Sequence, residues 1–203
     1  MSTGNILFFD TETSGIPVWN KPSEDPCQPR IFQLTGLLCD ADCKRLCSMD
    51  MLIKPEGWTI PEEIVELTGC DTARCEQGGV PIAWALPMFM QLWRACDFRV
   101  AHNESFDMRM VRIELMRSRY AEHADAWKAG KSFCTQGKST RLCNLPPTEK
   151  MMAAGRKTGK APTLAEAFRH FTGKELGERS HNAMYDVLAV RAVYLGIVAA
   201  GGG

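Results

Sequence analysis

A mixed β-sheet with helices packed on both faces is the fold class this sequence predicts, and three observations lead there. The chain opens with three apolar segments separated by turn-forming residues, which read as a meander of strands. It then alternates strand-like and helix-like segments, as α/β chains do. Hydrophobic residues make up 45% of its 203 positions. That is enough for one sizeable core, so residues 1–200 are expected to form a single domain, with 201–203 as a glycine tail.

Residues 5–10 read as the first strand. The stretch from Gly15 to Pro29 carries Pro17, Pro22, Pro26 and Pro29 and reads as a loop. "RIFQLTGLLC" (30–39) and "RLCSMDMLIK" (45–54) form a second and third strand around a polar hairpin turn. "PEEIVELTG" starts at Pro61, places two acids in its first turn and stops at Gly69, as a short helix does. A longer helix is expected over 81–96, kinked or restarted at Pro87.

"DFRVAHN" (97–103) is a strand, and the helix after it turns Phe106, Met110, Ile113, Leu115 and Met116 toward the core. "KSFCTQ" (131–136) is a weak fifth strand, followed by a loop-rich region to about Pro162. "TLAEAFRHF" (163–171) is an amphipathic helix with Thr163 and Glu166 in a capping-box pattern. The last helix, about 182–198, faces Val187, Val190, Val193, Tyr194 and Ile197 inward.

Lys plus Arg and Asp plus Glu number 24 each, so any nucleic-acid contact must come from a local basic patch. "GRKTGK" (155–160), with Arg156, Lys157 and Lys160, is one candidate, and Trp19 is a candidate for base stacking. The nine cysteines form no Cys-x2-Cys pair. Cys39, Cys43 and Cys47 would line one face of a helix, but their surroundings read as strands, which argues against a shared soft metal. Reduced thiols and the lack of an apolar signal segment point to a cytoplasmic protein. No apolar window approaches the roughly 20 residues a membrane helix needs.

The chemistry is carried by acids. In "FFDTETSG", Asp10 and Glu12 lie two residues apart on a strand and point to the same side. Asp107 in "VAHNESFDMRMV" and Asp186 in "SHNAMYDVLAV" each fall in the opening turns of a helix. Either alone could compensate a helix dipole, worth about 0.3–1 kcal/mol. Together, "DTE", "AHNESFD" and "HNAMYD" resemble, in order, the three motifs of the DEDDh family of 3′→5′ exonucleases, which includes the proofreading subunits of bacterial replicative polymerases.

The resemblance implies a ribonuclease H-like fold and hydrolysis of nucleic acid from a free 3′ end, with release of nucleoside 5′-monophosphates. Asp10, Glu12, Asp107 and Asp186 would hold two divalent cations, Mg²⁺ or Mn²⁺, because hard oxygen donors select hard ions. His181 would be the general base, its unperturbed pKa near 6.5 suiting neutral pH. Thr11, Thr13, Ser14, Asn103 and Phe106 would bind the terminal nucleotide, although Phe106 also reads simply as core. DNA is the favoured substrate, and a DNA polymerase is a possible partner. An exoribonuclease of the same family that trims RNA or degrades short oligonucleotides is the near alternative. An inactive binding module is the distant one, and the intact acid set argues against it.

Overall fold

The computed structural model describes residues 4–177 and 183–202. Strands β1 (Ile6–Thr13), β2 (Ile31–Cys39), β3 (Arg45–Leu52), β4 (Phe98–Ala101) and β5 (Ser132–Cys134) form one sheet in the order β3-β2-β1-β4-β5. β2 runs antiparallel to β1 and β3, whereas β4 pairs parallel with β1 and β5. This is the expected mixed five-stranded sheet, and the weak strand at 131–136 is its edge.

Alternation along β1 divides the helices between two faces. Leu7 and Phe9 enter a core with Leu86, Phe89, Met110, Ile113 and Trp127, contributed by α3 (Ile82–Arg94), α4 (Glu104–Arg117) and α5 (Ala124–Ala129). Ile6 and Phe8 point the other way, against Val187, Val190 and Tyr194 of α9 (Ala183–Ala199). By the same period of two, Asp10 and Glu12 belong to the α9 face. The expected inward residues of α9 are all buried.

α8 (Leu164–Thr172) packs on α9. A Cβ at Gly196 would lie 2.6 Å from the Phe171 ring, so only glycine permits this approach. The capping box forms: Thr163 Oγ1 accepts from the Glu166 N–H at 3.2 Å, and Glu166 Oε2 accepts from the Thr163 N–H at 2.8 Å.

Two expectations need correction. α3 does not restart at Pro87 but runs through it as one helix. Its Leu86, Phe89 and Met90 are fully or almost fully buried on the sheet, and that packing outweighs the roughly 3 kcal/mol a helical proline costs. The region after β5 is also more helical than expected, with α6 (Thr135–Cys143) and α7 (Glu149–Ala153). Both are short and polar, so neither shows an apolar stripe. Two further short helices precede them, α1 (Glu62–Thr68), which was expected, and α2 (Thr72–Gly78), which was not. α2 is signalled only by its cap, Asp71 accepting from the Arg74 N–H at 2.7 Å.

Arg99 on β4 is buried in the interior. Its Nε donates to Glu104 Oε1 at 2.7 Å, its Nη1 donates to the Trp127 carbonyl, and its guanidinium lies 4.1 Å from the Trp127 ring centroid. The pair ties the end of β4 to the first turn of α4. Arg99→Met strands the Glu104 carboxylate in the core and is expected to cost about 3–5 kcal/mol of unfolding free energy in urea. A loss under about 1 kcal/mol would show that the pair stabilises nothing.

Candidate active site

Asp10 and Glu12 sit on the last half of β1, opposite Thr35 and Gln33 of β2. A bulge immediately follows Glu12, where the partner of Thr13 jumps to Ile31. Bulges bend a strand and re-aim its side chains, here at the open end of the sheet. α9 enters from the other side and brings Asp186 in its first turn. Carboxylate oxygens of Asp10, Glu12 and Asp186 all lie within 4.8 Å of one another.

Asp107, in the first turn of α4, approaches from the opposite flank. Its Oδ1 accepts from the Thr11 N–H at 3.0 Å and from the Thr11 hydroxyl at 2.7 Å. One oxygen is thereby fixed to β1. Asp107 is not in the tight group of three, yet of the neighbouring charges acting on Asp10 its own is the largest. All four predicted acids therefore share one electrostatic site. His181 lies outside the described residues.

The electrostatics are those of crowded, poorly hydrated acids. Burial, reinforced by the charges of Asp107, Glu12 and Asp186, raises Asp10 well above the ordinary carboxylate range. Burial and the Asp186 charge lift Glu12 to about 7. Burial lifts Asp107 to about 8, against the opposing pull of the two Thr11 hydrogen bonds. The neighbouring charges that dominate at Asp10 are all negative, and oxygen-only donors at this spacing suit a hard divalent cation.

The predicted nucleotide contacts divide. Thr11 and Thr13 are buried, and the Thr13 hydroxyl donates to the Gly15 carbonyl at 2.9 Å. Ser14 continues the pairing of β1 with the chain entering β2, its N–H donating to the Arg30 carbonyl and its hydroxyl accepting from the Arg30 N–H. Asn103 caps α4 in the left-handed region at φ 62°. Phe106 is half-buried against the α3–α4 core. A cleft of about 1260 Å³ opens beyond the bulge between Ser14, Gly15, Ile16, Trp58, Trp84 and Tyr120.

Sequence reading missed three polar residues beside the acids. Gln33 and Thr35 both donate to Asp50 Oδ1 of β3, each at 2.7 Å. Their donors are therefore directed away from Glu12 and Asp10, the residues they oppose. The signal was present as two polar residues at alternate positions of an otherwise apolar strand, "IFQLTGLL".

The raised pKa values give a direction for stability. A carboxyl whose folded pKa exceeds its unfolded value makes the folded state bind more protons, so stability is lost as pH rises. For Glu12 and Asp107 that window runs from about pH 4 to about pH 8. In EDTA, Asp186→Asn removes one repelling charge and is expected to melt higher than the wild type near pH 8, with the difference shrinking near pH 5. An equal or lower melting point near pH 8 would contradict the repulsion.

A family model described as an exonuclease, RNase T, matches residues 7–194. Among solved structures, the chain resembles Escherichia coli exonuclease I in complex with a dA16 oligonucleotide at 20% identity and a TM-score of 0.69, over 97% of this chain and 41% of that one. It also resembles the zinc-ion-bound form of the E. coli exonuclease I complex with single-stranded DNA, at 18% identity and a TM-score of 0.70, over 98% and 41%. A product-bound exonuclease I matches at 18% identity and a TM-score of 0.71, over 98% and 44%. The chain thus spans less than half the length of these neighbours, and at such identities the likeness establishes the fold. A search of curated proteins found no match. The motif order along the sequence, the mixed sheet and the family match over residues 7–194 agree: the chain belongs to the RNase T exonuclease family.

Proposed function

We propose that this protein is a divalent-metal-dependent exonuclease that removes nucleotides from the 3′ end of single-stranded DNA, residues 1–200 acting as one catalytic unit. The observation that carries the reading is the carboxylate trio of Asp10, Glu12 and Asp186 within 4.8 Å, with Asp107 fixed beside it by Thr11. The structural neighbours are exonuclease I with an oligonucleotide, with zinc and single-stranded DNA, and with product. Their ligands support the same substrate class here.

Asp10, Glu12, Asp107 and Asp186 would hold the ions, with Mg²⁺ or Mn²⁺ the hard ions this donor set favours. Two bound cations would supply the positive charge that an anionic phosphodiester and an incoming oxygen nucleophile need in order to approach each other. The chain's own residues do the rest. The Thr11 pair of hydrogen bonds holds one Asp107 oxygen in place, so the other is the one available to an ion. Thr11 and Thr13 engage their hydroxyls within the protein, so they would act with Ser14, Asn103 and Phe106 by shaping the seat of the terminal nucleotide.

His181, five residues before Asp186 in sequence, is assigned as the base that takes the proton of the attacking water. The products are a nucleoside 5′-monophosphate and a strand one nucleotide shorter.

The test is a gel assay with 5′-labelled single-stranded DNA, and duplex DNA and RNA for comparison. Stepwise shortening from the 3′ end is expected with Mg²⁺ or Mn²⁺, none in EDTA, and a loss of at least about 100-fold in Asp186→Ala. Absence of metal-dependent shortening on every substrate would remove the reading. His181→Ala is expected to keep strand binding while losing about 100-fold or more in turnover. An unchanged pH–rate profile in that variant would remove the histidine as base.

A further inference from the structure

The net charge of zero conceals an uneven distribution. From Thr135 to Thr163 the chain carries Lys138, Arg141, Lys150, Arg156, Lys157 and Lys160 against Glu149 alone. All but Lys160 are exposed. Among the described residues, Lys160 is the one of the six drawn into an ion pair, with Glu166 at 2.5 Å. The other five basic groups face solvent on α6, α7 and the loop that leads to α8.

This segment is rooted beside the acids. The parallel pairing of β1 and β4 ends at Phe8 and Val100, and two residues beyond them stand Asp10 and His102. His102 Nδ1 lies 3.0 Å from Thr135 Oγ1 at the start of α6, and its Nε2 lies 3.0 Å from the Pro162 carbonyl at the far end of the segment. A carbonyl only accepts, so Nε2 carries the proton and donates. Gln136 Nε2 donates to the same carbonyl at 3.2 Å. Both ends of the basic segment are thus pinned to His102, which follows directly on β4, the strand beside β1.

Its interior is shaped as well. Gly155 sits at φ 72°, the Arg156 N–H donates to the Met151 carbonyl at 2.9 Å, and a Cβ at Gly159 would lie 2.6 Å from the Leu145 carbonyl oxygen. The chain folds back on α7 and presents Arg156 and Lys157 outward.

We propose that residues 135–163 form a phosphate-binding arm that carries the backbone of a single strand toward the acid site, with Arg156 and Lys157 as its contacts. The proposal rests on the exonuclease reading for the identity of the strand. The arm also answers a need of the site: four clustered acids repel a polyanion, and a strand must be held close by charge placed elsewhere. Contacts of this kind are independent of base sequence and sensitive to salt. Each phosphate neutralised on a single strand contributes about 0.7 to the slope of log affinity against log salt concentration.

The experiment compares wild type with Arg156→Glu/Lys157→Glu, both positions being exposed and unpaired among the described residues. Binding of a long fluorescent single-stranded oligonucleotide is titrated by anisotropy in EDTA across a salt series. Turnover of the p-nitrophenyl ester of thymidine 5′-monophosphate is measured with Mn²⁺. The variant is expected to bind about 10-fold or more weakly at low salt, with a slope shallower by about 0.7 per lost contact, and to hydrolyse the small ester at the wild-type rate. Arg156→Lys/Lys157→Arg, which keeps the charge, is expected to bind like wild type. An unchanged slope in the glutamate variant, or no salt-dependent binding by wild type, would overturn the arm. So would parallel loss of ester turnover, because the residues would then act on the chemistry. A wild type that fails on the ester counts against the exonuclease reading, while the binding titration still decides the arm.

Discussion

Repulsion among carboxylates that the fold holds together is the constraint around which the rest of the structure is arranged. Asp10, Glu12 and Asp186 converge within 4.8 Å, with Asp107 close enough to raise Asp10. Left alone, such a group would spread apart or protonate. It is kept together because each acid stands on an element buried for other reasons. β1 is a central strand with apolar partners on both faces, α9 is buried through Val187, Val190, Val193 and Ile197, and α4 is anchored by the Arg99–Glu104 pair. The core supplies the force that confines the charges, which is how a folded scaffold stores strain at a site.

The same arrangement explains why the surrounding polar groups point elsewhere. Gln33 and Thr35 could donate to Glu12 and Asp10 across the ladder, and instead both donate to Asp50. One Asp107 oxygen is hydrogen-bonded to Thr11, the residue between the two strand acids. On the functional reading, Gln33 and Thr35 are turned away from Glu12 and Asp10 so that a cation, followed by a phosphate, meets those two acids.

Much of this was legible in the sequence because it is written in local patterns. Strand alternation placed Asp10 and Glu12 on one face, the capping box located α8, and the apolar spacing of α9 located Asp186. What sequence could not give was convergence. Asp107 and Asp186 each look like ordinary helix-start acids, and only the three motifs in order connected them to "DTE". The structure then brought them together from opposite faces of the sheet. The continuity of α3 through Pro87 was not legible, because packing of Leu86 and Phe89 is a tertiary effect. α6 and α7 escaped for the opposite reason, being too short and polar to show periodicity. The Arg99–Glu104 pair gave no signal either, since an arginine in a short strand reads as an exposed residue.

The central claim is that the four acids form a cage for divalent cations, and calorimetric titration of Mn²⁺ into the metal-free protein near pH 8 tests it most directly. About two ions per chain are expected to bind with release of protons from the raised carboxyls, and Asp10→Asn is expected to abolish most of that heat. Mn²⁺ binding that is absent, or that survives Asp10→Asn unchanged, would contradict the account.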